Sequence, residues 1–220
     1  MTRTGHELQD LPGTIPIFPL TGVLLLPGGV LPLNIFEPRY LNMVDDALRT
    51  GRIIGMIQPA EAGAEGHDES PPVYSVGCAG RITAFRETDD GRFEIVLTGL
   101  SRFEVAHEVE GQGGYRRVVA RWDRFRADLD EEDDAAIERA PLIAAFQKFA
   151  KRRRLGAEWG RLAEISDPEM VTWMAMAVPF HPNEKQALLE CATSRERGQM
   201  LIALLKIASH EVAARAFSRQ

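Results

Sequence analysis

Hydrophobic and polar positions divide the chain into a first part that reads as strands and a second that reads as helices. Ile15-Pro16-Ile17-Phe18-Pro19-Leu20 predicts a short strand at a sheet edge, because proline donates nothing to a ladder. Gly22 to Gly29 enclose an apolar loop, and Val30 to Phe36 return as a strand. Pro38 suits the first position of a helix on which Leu41, Val44 and Leu48 share a face, with Gly51 as its C′ residue. Ile53 to Ile57 read as a buried strand, and 60–72 as an acidic surface loop. Val73 to Glu87 predict a long strand, with Val76, Cys78, Gly80, Ile82 and Ala84 alternating to one side. Asp89-Asp90-Gly91 is a hairpin signal. Phe93 to Leu97 and Phe103 to Val109 read as two strands parted by Gly99-Leu100-Ser101, and Tyr115 to Phe125 closes the series. Six or seven strands with one helix favour a closed or partly closed barrel, since closure removes edges.

Beyond Asp128 the period becomes helical. Asp130 to Asp134 begin one segment and Lys148 to Arg154 end it, acids first and bases last, as the helix dipole prefers. Pro141 inside it predicts a kink or a restart. Asp167-Pro168 reads as an N-cap followed by a first-turn proline, opening a helix that Pro179 stops. Asn183 opens another, with Gln186 placed to complete a capping box, and Thr193-Ser194-Arg195-Glu196 opens the last. Leu201, Leu204, Leu205, Ala208 and Val212 stripe that helix. The fold class is therefore α+β, with a β-rich subdomain over 1–125 and a small α-helical bundle over 126–220.

Composition sharpens that boundary. The net charge of −6 falls wholly within residues 1–120, which hold ten arginines, no lysine and 16 acidic residues. An acidic first unit argues against a broad phosphate-binding surface. Two isolated cysteines, Cys78 and Cys191, fit free thiols in a reducing compartment, and Cys78 fits a buried strand position. No apolar leader is evident, and Pro16, Pro19, Pro27 and Pro32 break the most apolar early stretch, so the expectation is a cytoplasmic protein that spans no membrane.

The search for chemistry is largely negative. The chain has no Walker A loop and no GxSxG elbow. His6, His107 and His210 each precede a glutamate, but Asp10, Gly111 and Ala214 stand where a zinc helix needs its second histidine. No catalytic residue, metal ligand or cofactor site is assigned. Trp173, Met174 and Met176 read as core packing, and the Lys148–Arg154 run as a solvated helix end. Arg39 reads as a junction residue that pairs with carboxylates and loop carbonyls. Leu24, Leu25, Leu26 and Val30 are the open question: an apolar loop either plugs the barrel end or offers a patch to a partner.

Ile15 to Leu20, Val23 to Gly28 and Leu31-Pro32-Leu33-Asn34-Ile35-Phe36-Glu37-Pro38-Arg39-Tyr40 together resemble the amino-terminal substrate-binding domain of Lon proteases. Val76-Gly77-Cys78-Ala79-Gly80-Arg81-Ile82, Asp90-Gly91-Arg92-Phe93, Leu100-Ser101-Arg102-Phe103 and Pro179 to Leu189 extend the resemblance to residues 13–210. It implies a PUA-like pseudo-barrel followed by a helical bundle, with Phe36, Glu37, Pro38, Arg39 and Tyr40 as a structural motif. It also implies a stand-alone recognition module without the ATPase and Ser-Lys protease modules of full-length Lon. Its partners would be unfolded or client polypeptides, and a full-length ATP-dependent protease if it serves as an adaptor. The alternative reading is an RNA-binding PUA-like protein that uses the basic 148–154 run.

Overall fold

A computed structural model describes residues 11–60, 71–129, 137–153 and 164–217, with side chains in the last helix through Ser209. Six strands form one mixed sheet: β1 (Thr14–Pro19), β2 (Val30–Ile35), β3 (Ile53–Ile57), β4 (Val76–Glu87), β5 (Phe93–Gln112) and β6 (Tyr115–Arg121). The order is β2-β5-β4-β3-β1-β6, and a further β5–β6 pairing closes five of the strands into a barrel. The sixth, β2, pairs only with β5 among the described residues, which leave its outer edge free. Five α-helices complete the described chain: α1 (Pro38–Arg49), α2 (Arg139–Arg153), α3 (Asp167–Ala177), α4 (Pro182–Glu190) and α5 (Ser194–Phe217).

Several expectations change. β1 lies inside the sheet, not at its edge. Residues 14–17 pair with β6 and 17–19 with β3, so each flank carries a ladder along only half the strand. Pro16 therefore has no β3 partner to disappoint, and Pro19 is the last residue. The two strands predicted around Gly99-Leu100-Ser101 are one, β5, which runs twenty residues. Its first part pairs with β2 and β4 and its last part with β6, and register shifts at Ala79/Gly80 and Val105/His107 absorb the bend. A second shift between Ile82 and Ala84 breaks the alternation along β4, so Ile82 is buried and Ala84 exposed. The last strand stops at Arg121, and a 3-10 segment, Asp123–Leu129, follows. After α1, Arg52 and not Gly51 takes the left-handed conformation, φ 59°, and its N–H donates to the Ala47 carbonyl at 2.9 Å.

In the helical part, α2 begins at Arg139, which puts Pro141 in the first turn, where a missing N–H costs no intrahelical bond. The Asp130–Asp134 start lies outside the described residues. Ser166, one residue before the expected cap, closes a capping box with Glu169. For α4, the His181 N–H donates to the Glu184 carboxylate at 2.7 Å, so Glu184 takes the role expected of Gln186. Gln186 is buried instead and donates to the Val76 carbonyl of β4. Thr193 caps α5 as expected, accepting from the Glu196 N–H.

One apolar cluster runs from the barrel into the helices, uniting Ile54, Met56, Cys78, Ile82 and Leu97 with Phe146, Met170, Leu188 and Leu201. A buried polar knot pins the same seam. Arg102 of β5 donates to Asp128 through Nε (2.8 Å) and Nη2 (2.7 Å), and through Nη1 to the carbonyls of Leu189 (3.0 Å) and Cys191 (2.5 Å). Arg197 Nε reaches the Leu188 carbonyl at 2.9 Å. These carbonyls end α4, where the helix has no internal donors and favours cations. Gln58, just after β3, adds a bond to the Pro182 carbonyl at 3.0 Å.

Candidate functional site: the free edge of β2

The segment before β2 is held by its glycines. The Gly29 N–H returns to the Leu26 carbonyl at 2.9 Å around Pro27-Gly28, with Gly28 at φ 75°. Proline then glycine at these places is the type II signature. Gly28 and Gly29 bond with Gly99 of β5 at 2.9 and 2.8 Å. A Cβ on Gly99 would sit 2.0 Å from the Leu26 carbonyl oxygen, so only glycine admits this approach. The turn drives Leu24, Leu25 and Leu26 into the core, at 3, 1 and 0% exposure. Of the two arrangements considered for the loop, the three leucines take the plugging one.

Val30 does the opposite, at 61% exposure. Along β2 the side chains alternate: Leu31 and Leu33 pack against the core and Ile35 is buried, while Val30, Pro32 and Asn34 face outward. Phe36 continues the outward series at 62%, its ring 6.0 Å from the Arg92 guanidinium. Across the ladder, Val30 faces Thr98, Pro32 faces Val96 and Asn34 faces Glu94. The outer face is thus an apolar strip, Val30, Pro32 and Phe36, beside an unpaired backbone edge. Pro32 removes one donor from the strand and blunts the edge without covering it.

The motif after β2 anchors this strip. Glu37 is the N-cap of α1, and its carbonyl accepts from the Tyr40 and Leu41 N–H groups. Its carboxylate takes Arg39 through Nη2 at 2.7 Å and Nε at 3.0 Å. Arg39 lies over the Tyr40 ring at 4.9 Å, and that ring packs on Phe18 with centroids 4.1 Å apart. Burial raises the Tyr40 pKa above its ordinary value. Pro38 holds the first turn, so Phe36 points out while Tyr40, four residues on, points in.

Two neighbours were not singled out from sequence as site residues. Phe85 of β4 is 42% exposed and meets Phe93 edge-on at 5.0 Å. Its place two residues from the end of β4, at the sheet's end, is the available signal. Trp173, expected in the core, is 45% exposed. The inward face of α3 is Met170, Val171, Met174 and Ala175, which leaves Trp173 on the flank against Phe146. One turn on, Met176 reaches Gly29, where a Cβ would lie 2.3 Å from its sulfur. The α3 flank therefore borders the Val30 end of the strip.

Elsewhere the described residues offer little chemistry. Cys78 and Cys191 are buried, and burial raises the Cys191 thiol pKa. Tyr115 donates to Asp46 at 2.9 Å, and burial with that bond pushes its pKa up to about 12. No group of three or more metal-ligating side chains forms among the described residues. No helix among them is long and apolar enough to cross a membrane. Lys148, Lys151, Arg152 and Arg153 are exposed, but Arg152 donates to the Ser209 carbonyl and Arg153 lies over Phe149.

A barrel closed by one long strand, an appended edge strand and a helical brace define an α+β fold. Residues 14–206 match the family model of the ATP-dependent protease La (LON) substrate-binding domain, and the chain belongs to that family. It is 29% identical over 203 residues to the Lon protease of Anaeromyxobacter dehalogenans, covering 90% of this chain and 23% of that protein. It is 28% identical over 207 residues to Lon protease 2 of Myxococcus xanthus, covering 90% and 24%. The chain thus spans about a quarter of the length of these relatives. Among solved structures, the Lon N-terminal domain protein from Xanthomonas campestris has TM-score 0.59 at 24% identity, over 86% of this chain and 97% of that one. The N-terminal domain of Mycobacterium avium complex Lon protease has TM-score 0.60 at 20% identity, over 88% and 98%.

Proposed function

We propose that this chain recognises unfolded or exposed apolar polypeptide segments at the free edge of β2. What carries the proposal is one observation: Val30 and Pro32, with Phe36 just beyond the strand, stand exposed beside an edge of β2 that is unpaired among the described residues. An extended segment adds main-chain hydrogen bonds along such an edge, and alternate side chains find apolar contacts. The six residues of β2 give a docking length of about 20 Å. Leu24, Leu25 and Leu26 serve from below, as the buried support that fixes the strand. Residues 1–125 supply the edge and 126–220 brace it.

In this role the chain does no chemistry of its own. It presents segments as an adaptor to an ATP-dependent protease, or withholds them as a competitor. Family membership supports substrate recognition. Fluorescence anisotropy with a labelled unfolded protein and its folded counterpart tests the reading. Binding to the unfolded form alone, weakened by Val30→Asp and Phe36→Asp, is the expected result. Equal or absent binding to both forms overturns it.

A further inference from the structure

β1 and β3 pair along only part of their length, and the barrel wall is split where they do not. Their parallel ladder begins with Ile17 opposite Gly55, so residues 14–16 of β1 and 53–54 of β3 share no pairing. A cavity of about 460 Å³ lies at this split, bordered by the end of α1. An arginine stands on each flank. Arg81 of β4 pairs in register with Ile53, Arg117 of β6 pairs with Pro16, and both arginines line the cavity. Neither has an ion-pair partner among the described residues. Arg81 donates once, through Nη1 to the Gly51 carbonyl at 3.1 Å, and its Nε–H is buried without a partner. Arg117 makes no side-chain hydrogen bond among the described residues. The one carboxylate in the lining, Asp46, is already served. Its Oδ2 accepts from Tyr115 at 2.9 Å and from Gln112 at 3.1 Å, and its Oδ1 lies 3.7 Å from Arg49. Leu11, Ile15 and Ile53 give the cavity an apolar side.

We infer that this split binds a carboxylate carried on an apolar body, its head taken by Arg81 and Arg117 and its tail by Leu11, Ile15 and Ile53. A guanidinium with uncommitted donors suits a carboxylate, whose two oxygens accept parallel N–H bonds. Two cations lining one small cavity gain further from an anion that both can reach. The volume is that of a small-ligand site, apolar over much of its wall with a few convergent polar groups. The acidic barrel disfavours a broad phosphate-binding surface, whereas a single head group needs only the local pair. A polypeptide C-terminus and a free small acid present the same chemistry, and the experiment separates them. The inference uses neither the β2 edge nor the role proposed for it, and stands or falls apart from both.

The test titrates the isotope-labelled full chain by two-dimensional NMR with hexanoate, hexanamide, inorganic phosphate, and a short apolar peptide ending in leucine with a free or an amidated C-terminus. A free acid is expected to bind roughly tenfold tighter than its amide, with shifts at Arg81, Arg117 and Ile53. Binding by the peptide acid alone assigns the head to a polypeptide end. Binding by hexanoate alone assigns it to a small acid, and binding by both supports the shared chemistry. Arg117→Gln replaces a half-buried strand residue that has no side-chain bond to lose, and should weaken the acid roughly fivefold at an unchanged Tm. Asp46→Asn keeps an oxygen for Tyr115 and Gln112, removes the competing charge and should tighten binding. Acids and amides that bind alike overturn the inference, as does phosphate that binds as tightly as hexanoate. An affinity unmoved by Arg117→Gln, or no binding of any probe up to about 10 mM, overturns it equally.

Discussion

The seam between barrel and helices and the free edge of β2 lie only four residues apart in the chain, yet they bury opposite fractions of similar side chains. Leu24 to Leu26 enter the seam, and Val30 stands in water. Hydropathy does not separate them. Geometry does: Pro27-Gly28 turns the leucines under Gly99, and the two-residue period of β2 then sends every second side chain outward. At the seam, polar groups are also matched, with Arg102 and Arg197 serving the last carbonyls of α4. At the edge, one side of a strand is left unmatched. The contrast teaches that the apolar character of this region serves two ends, stability behind the turn and contact beyond it.

The largest effect should come from breaking the seam's charge. Asp128→Ala leaves Arg102 buried without its carboxylate and should cost about 3–5 kcal/mol, read by urea or thermal denaturation. At roughly 2–4 °C per kcal/mol for a chain of this size, Tm falls on the order of 10 °C. An Arg102→Met, Asp128→Leu pair should recover much of the loss, because the buried charge is gone. Leu26→Ala comes next, at about 2–5 kcal/mol for a fully buried leucine. Unchanged denaturation midpoints for both Asp128→Ala and Leu26→Ala would erase the distinction between seam and edge.

Much of this was legible beforehand, and the failures share a cause. Element types followed local period and punctuation: Pro38 opened α1, Asp89-Asp90-Gly91 turned the β4–β5 hairpin, and Ile53 to Ile57 lie buried in β3. What escaped depended on partners distant in sequence. Gly99 looked like a break because glycine weakens strands, but here it admits the Leu26 carbonyl and β5 runs on. The prolines of β1 looked like edge markers because a strand that divides its ladders between two flanks leaves no local trace. Leu24, Leu25, Leu26 and Val30 read alike in the sequence, and the Pro27-Gly28 turn under Gly99 with the period of β2 separates them. Phe85 and Trp173 escaped because exposure at a sheet end or helix flank depends on what packs nearby.

A smaller effect should appear at the start of α3, the helix whose other end borders the edge. Glu169 accepts from the Ser166 N–H at 3.0 Å and hydroxyl at 2.8 Å, and these bonds hold its pKa below 4.5. A carboxylate depressed on folding stabilises the native state above its unfolded pKa, and that gain fades as pH falls through the folded pKa. Glu169→Gln keeps a capping-box side chain and removes the charge. It should lose a few tenths to about 1 kcal/mol at neutral pH. Its stability should then fall less steeply than the parent's below pH 4.5. Parallel acid limbs for the two proteins would detach this cap from the titration.

The smallest change in stability should carry the sharpest functional reading. Val30→Ser and Phe36→Ser remove exposed apolar surface that touches little of the core, so each should move stability by no more than about 0.5 kcal/mol. Leu26→Ala, in contrast, should weaken the fold and reach binding only through it. The two classes therefore separate when unfolding and peptide affinity are measured on the same samples. Edge variants should bind the apolar peptide roughly tenfold more weakly at an unchanged midpoint, an anchor's worth of contact at an interface centre. Seam variants, measured well below their midpoints, should bind normally. If the edge variants lost stability and affinity in proportion, Val30 and Phe36 would belong to the same cooperative core as the leucines. The free edge would then be a consequence of barrel closure rather than a place prepared for a partner.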